Sequence, residues 1–205
     1  MTLAALALGA AVPTAQAAPE PAELARADRV ARSVPWRAPR ARAERPPHPL
    51  GVQTLVIERV SRKGAPAGER RARVYQHDHD ARLARRVLVD LVREEALEVR
   101  RVDSVHLPLN AAERAWAMAR LSRSTSTLGR LREEQIRRGR APFERLDELE
   151  VKAIVFEPTD PDDPCARERC ALLALFDDTR TAFAVEPVVR FATGAVETLD
   201  ARGPR

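Results

Sequence analysis

Two groups of side chains in this sequence have the types and spacing for chemistry. The first is His77-Asp78-His79-Asp80. Alternate residues of an extended strand face one side. The imidazoles of His77 and His79 can therefore meet at one copper or zinc ion, with Asp80 or His106 completing the set. The same four residues have a plainer reading. They stand where one β-rich run gives way to the next, and Asp with polar neighbours is ordinary turn chemistry there. The second group is Cys165 and Cys170, in PDDPCARERC. In an oxidising compartment this spacing reads as a loop-closing disulfide. So short a loop contributes only about 2 kcal/mol. No second Cys or His pair lies nearby in sequence to complete a four-ligand site, and the spacing is not that of a CxxC redox motif.

Other constellations carry less. Ser104 and His106 are near neighbours in the chain, but no oxyanion loop accompanies them. Glu94-Glu95 and Glu133-Glu134 lie in charged surroundings and read as solvated faces. Gly64 and Gly68 are isolated in a polar loop, so no phosphate cradle is visible. The site residues assigned are His77 and His79 as candidate metal ligands and Cys165 and Cys170 as a disulfide. No catalytic and no cofactor-binding residue is assigned.

These groups need elements to position them. The longest stretch with helical signals is Leu107 to Gly139. Pro108, Asn110 and Glu113 form the lead and capping box of a helix. Ala112, Ala115, Trp116, Ala119 and Leu121 then recur at helical spacing. Ser122 to Thr127 is a polar break. Leu128, Leu131 and Ile136 carry a second helix, closed by Gly139 as a left-handed cap. Trp116 and Met118 read as core. Ala112, Ala115, Trp116 and Ala119 are expected to face a sheet. Val151, Ala153 and Val155, or their alternates Ile154 and Phe156, would supply that sheet's inner face with Leu173 and Val189.

Before and after these helices lie strand-rich segments that match each other. VQTLVIE (52–58) matches VKAIVFE (151–157) at an offset of 99. A loop follows each. ARVYQHDHD then matches CALLALFDD, with Asp178 set against Asp78, and RVLVDLVREEALEV matches EPVVRFATGAVETL. Four strands recurring in one order at a nearly constant offset read as an internal duplication, hence two domains. The expected fold class is α+β: two repeats, each a four-stranded antiparallel sheet, with a helical segment at about 108–138 packed on the second. At the same offset the equivalent of Asn110 falls near residue 10. The first repeat's helix is thus missing or reduced, unless residues 22–32 are its remnant.

The domain reading is then 1–17 as a signal peptide, 18–49 as a Pro/Arg-rich linker or arm, 50–104 as the first repeat and 105–201 as the second. Residues 2–12 are an apolar run followed by Ala15-Gln16-Ala17, a small-x-small cleavage pattern. The run is too short to span a bilayer, so no membrane span is expected after cleavage. Periplasmic or secreted localisation follows. The net charge of +5 and pI near 10.1 invite a nucleic-acid partner. The distribution of that charge argues otherwise, because acids are scattered among the arginines and no aromatics interleave a basic face. A protein partner is expected, of unknown identity.

A helix followed by four antiparallel strands resembles the cystatin-like fold. More specifically, the chain resembles the two small N-terminal domains of copper-containing amine oxidases. VHLPLNAAERAWAMARL and its continuation to RRG at 137–139 carry the likeness, with TLVIERV, AIVFEPT and VLVDLVREEALEV. It covers roughly residues 50 to 200, and every motif in it is structural. The family's catalytic domain is absent. Tyr75 lacks the flanks of its redox-cofactor tyrosine, and the chain is too short for its copper-bearing sandwich. The resemblance implies an exported non-catalytic accessory or binding protein without cofactor. The alternative is a shortened relative that binds copper or assists an oxidase.

Overall fold

The computed structural model describes residues 20–36, 48–60, 68–102 and 106–200. The signal segment expected at 1–17 lies outside the described residues. The described chain forms α1 (Pro21–Ser33), β1 (Val52–Val60), β2 (Arg71–Asp78), β3 (Leu83–Asp90), β4 (Glu95–Val102), α2 (Ala111–Leu121), α3 (Thr125–Arg137), β5 (Glu150–Val155), β6 (Cys170–Phe176), β7 (Val185–Arg190) and β8 (Val196–Asp200). The strands make two four-stranded antiparallel sheets, ordered β1-β2-β3-β4 and β5-β6-β7-β8. The α+β class with a repeated meander is therefore as the sequence implies. Among the described residues no helix is long and apolar enough to cross a membrane.

The first repeat has its own helix, inside the segment read as a linker or arm. Ala27, Val30 and Ala31 of α1 pack on Ala72, Val74, Val87 and Val89. The alternating burial along β2 follows from that one covered face. Arg85, buried under α1, donates to Gln76 Oε1 at 2.9 Å and to the Ala31 carbonyl at 2.9 Å, tying helix to sheet. The offset of 99 missed α1 because α3 stands between helix and first strand in the second repeat and has no counterpart in the described first one.

The second repeat has the larger core. Leu121 and Leu131 from the helices meet Ala171, Leu173, Leu175 and Val189 from the sheet and Phe191 just beyond β7. Val151, Ala153 and Val155 lie on this inner face, while Ile154 is 52% exposed. The helical stripe differs from the expected one. Ala112, Ala115 and Ala119 are exposed, and the buried positions of α2 are Glu113, Ala117 and Leu121. Trp116 is half-buried at the edge of this stripe, stacked on Phe191 with ring centroids 5.4 Å apart. A buried carboxylate, not the alanines, sets the rotation of the helix. Gly139 closes α3 with φ +73°, the left-handed cap the sequence implies.

Candidate functional site

Glu113 is where sequence chemistry and tertiary position meet. It is the third helical residue of α2, and its backbone N–H donates to Asn110 Oδ1 at 2.9 Å. Its own carboxylate accepts from Asn110 N at 3.1 Å, completing the capping box. It then accepts three more bonds. Arg169 donates Nε to Oε1 at 2.6 Å and Nη2 to Oε2 at 3.0 Å, and His79 Nε2 donates to Oε1 at 3.0 Å. An ionised carboxylate only accepts, so Nε2 is the protonated nitrogen of His79. Burial alone would raise the Glu113 pKa. The hydrogen bonds from His79 and Arg169, with the Arg169 charge, outweigh it and hold the carboxyl well below its ordinary value. Arg169 also donates to the carbonyls of Leu107 and Pro108, fixing the chain that leads into α2.

The first repeat contains the same device. Glu23 is the third helical residue of α1, accepts from Glu20 N at 3.2 Å, is buried, and pairs with Arg70. Arg70 and Arg169 each stand one residue before the second strand of their sheet. The carbonyl of each accepts from the residue that follows the third strand, Leu91 at 2.9 Å and Phe191 at 3.2 Å. Both helices bury the pattern Glu, fourth residue, eighth residue: Glu23, Ala27, Ala31 and Glu113, Ala117, Leu121. The turns correspond too. Asp78 Oδ1 caps the β2–β3 turn, and Asp177 Oδ1 caps the β6–β7 turn. Asp177, and not Asp178, is thus the partner of Asp78. Arg82 and Arg180 in these turns, and Glu94 and Gly194 in the next ones, all have positive φ.

The second device differs by the histidines gathered on it. All four histidines of the chain lie at the seam between the repeats. His48 stacks on His79 with centroids 5.1 Å apart, and His77 meets His79 edge-on at 4.6 Å. His48 Nδ1 accepts from Leu50 N at 3.2 Å, so its Nε2 is the protonated nitrogen and donates to the Phe191 carbonyl at 2.9 Å. This uses both nitrogens of a neutral ring. Burial, then the neighbouring His79, lowers the His48 pKa. His77 is lowered to about 3, first by burial, then by His79 and Arg169. His106 is exposed, with Nδ1 3.1 Å from Glu157. Asn110 closes the seam from the other side. Its Nδ2 donates to Gln53 Oε1 at 3.1 Å and to the Thr54 carbonyl at 3.0 Å, both in β1.

A cleft of about 120 Å³ opens at this seam. His77, His79 and Arg82 line it from the first repeat. His106, Phe156, Arg167, Glu168, Arg169 and Phe191 line it from the second. The candidate metal ligands His77 and His79 are therefore together on one wall. The proposed completing groups are occupied elsewhere: Asp80 Oδ1 accepts from His48 N at 2.6 Å, and His106 faces Glu157. Among the described residues no group of three His, Cys, Asp or Glu side chains is arranged to hold a metal ion.

The cysteines are bonded, with S–S 2.02 Å, and Cys165 lines the cleft. Their loop carries Arg167, Glu168 and Arg169 into it. Of the carboxylate pairs read as solvated, Glu133 is exposed but Glu134 is buried. It accepts from Ala184 N at 2.7 Å and Val185 N at 3.0 Å, where β7 begins. The residues that sequence reasoning missed are Arg169 and His48, and the inward role of Glu113. Glu23 and Glu113 are 90 residues apart and Arg70 and Arg169 are 99 apart, so a search at one fixed offset pairs the arginines but not the glutamates. No protein-family model matches this chain, and no curated protein sequence matches it.

Proposed function

We propose that this chain is an exported, non-catalytic binding protein built of two cystatin-like repeats akin to the small N-terminal domains of copper-containing amine oxidases. The observation that carries the reading is the repeated Glu–Arg device. A Glu–Arg pair anchors the helix to the sheet in each copy, with Arg70 partly exposed in the first and both partners buried in the second, where the pair also holds His79 of the other repeat. The charged groups of the second copy are thus engaged in holding the two repeats together. That use suits a scaffold presenting a seam cleft to a protein partner or ligand. The disulfide, the apolar N-terminal run and its small-x-small pattern support export to the periplasm or beyond.

A second reading, a shortened oxidase relative that binds copper, is favoured by one observation: His77 and His79 meet edge-on at the cleft. The two separate in one experiment. The protein is recovered from the exported fraction, stained for quinone, loaded with copper(II), and analysed for metal before and after gel filtration. The binding reading expects no quinone and no stoichiometric copper. Copper at one per chain, lost in His77→Ala, would establish the second reading instead. A pull-down from the same fraction then identifies the partner.

A further inference from the structure

We propose that the seam cleft is a site for a small organic carboxylate, with its anion held between Arg82 and Arg167 and its apolar body against Phe156 and Phe191. The proposal rests on the reading of the chain as a binding module and names the ligand class of that module. Its basis is the balance of charge on the cleft wall. Of the three guanidinium groups there, Arg169 is matched by Glu113. The one carboxylate of the lining, Glu168, is matched by Arg190. Arg82 makes no ion pair among the described residues. Arg167 meets only Asp162, at 3.3 Å, with both side chains largely in solvent. The wall therefore presents positive charge in excess, on groups whose planar N–H donors fit a carboxylate.

Placement supports the pairing. Arg82 stands in the β2–β3 turn, which Asp78 fixes by accepting from Asp80 N and Ala81 N. Arg167 stands in the loop closed by Cys165 and Cys170. One guanidinium comes from each repeat, so an anion between them would join the two. Val155, Phe156 and Phe191 give the cleft an apolar side, which bare inorganic anions do not use.

The test is isothermal titration of the metal-free full chain with benzoate at pH 7.5 and low salt. Saturable binding of one benzoate per chain is expected. Arg82→Ala should weaken it about tenfold, the loss of one charge-assisted contact, with Arg82→Lys between the two. Arg123→Ala, an exposed arginine outside the cleft, should leave it unchanged, and circular dichroism checks that each variant is folded. The proposal is overturned by an absence of saturable benzoate binding. It is overturned equally if a folded Arg82→Ala binds benzoate as tightly as the parent. Inorganic phosphate or benzylamine binding as tightly as benzoate would also overturn it, because neither combines a carboxylate with an apolar body. A metal-free, quinone-free chain that ignores benzoate would refute this inference alone. Stoichiometric copper or quinone would refute the reading on which it rests.

Discussion

Glu113 of α2 and Arg169, one residue before β6, are joined by two parallel hydrogen bonds in a site that excludes solvent from the carboxylate. The pair fixes the rotation of α2 on its sheet, the entry into that helix and, through His79, the contact between the repeats. Removing one partner leaves the other as an uncompensated buried charge. Glu113→Leu should therefore cost about 3–5 kcal/mol. Adding Arg169→Met should restore part of that, because the stranded guanidinium is then gone. Urea unfolding of the two single variants and the double measures the coupling. Additive costs would show that the pair is not a unit.

Asn110 does two jobs that substitution can separate. A lost N-cap by itself costs about 1 kcal/mol. Asn110 Nδ2 also bridges to Gln53 and the Thr54 carbonyl of the first repeat. Asn110→Ser keeps a cap oxygen and loses the bridge, whereas Asn110→Ala loses both. The alanine variant should fall about 2 kcal/mol below the parent, with serine between them. Equal stabilities for serine and parent in urea melts would show that the bridge contributes nothing.

Trp116 and Leu121 test the corrected helix phase. Leu121 has no solvent exposure, and Trp116 is half-buried at the seam. Leu121→Ala should cost about 2–5 kcal/mol. Trp116→Ala should cost less, despite the larger side chain, because part of the indole is already in water. A larger loss for Trp116→Ala than for Leu121→Ala in thermal melts would return the helix to the alanine-stripe orientation.

Acid should weaken the fold through Glu113. Its folded pKa lies below its ordinary value of 4.5, at about 2. The unfolded chain therefore binds a proton before the folded one does, and stability present above pH 4.5 is lost as pH falls toward 2. In that window the slope from one carboxylate approaches, at most, about 1.4 kcal/mol per pH unit. Glu113→Gln should be less stable at pH 7 and show a shallower loss between pH 4.5 and 2. Denaturant midpoints across that range check it. A parallel pH dependence in parent and variant would mean that the acid response lies elsewhere.

The disulfide should matter modestly for global stability and more for the cleft. A loop this short gives about 2 kcal/mol on chain-entropy grounds. Treatment with a thiol reductant should lower the unfolding midpoint by that amount. It should also increase amide hydrogen exchange in 165–170, the loop that carries Arg167 and Arg169. A loss of stability with no change in exchange there would separate the loop from the cleft.

Much of the architecture follows from local pattern. The alternation in 52–58 and its match at 151–157 requires two sheets, because period-two apolar runs separated by turn residues bury one face each. Asn110 with Glu113, and Gly139 after the last helical turn, bound the central helices by backbone chemistry that neighbours in sequence supply. The Cys165–Cys170 pairing is local in the same way. What the sequence left open depends on partners far along the chain. Glu113 reads as a capping residue until Arg169, 56 positions later, and His79, 34 positions earlier, are brought against it. The alanines of α2 present an equally plausible apolar stripe, and only that buried carboxylate decides which stripe turns inward. His48, His77, His79 and His106 lie at one seam because loop and strand-end residues of the two repeats meet there, and strand periodicity says nothing about how two repeats meet. Burial and long-range charge pairing are properties of the assembled fold, so the tertiary structure alone placed the histidines, the arginines and the cleft between them.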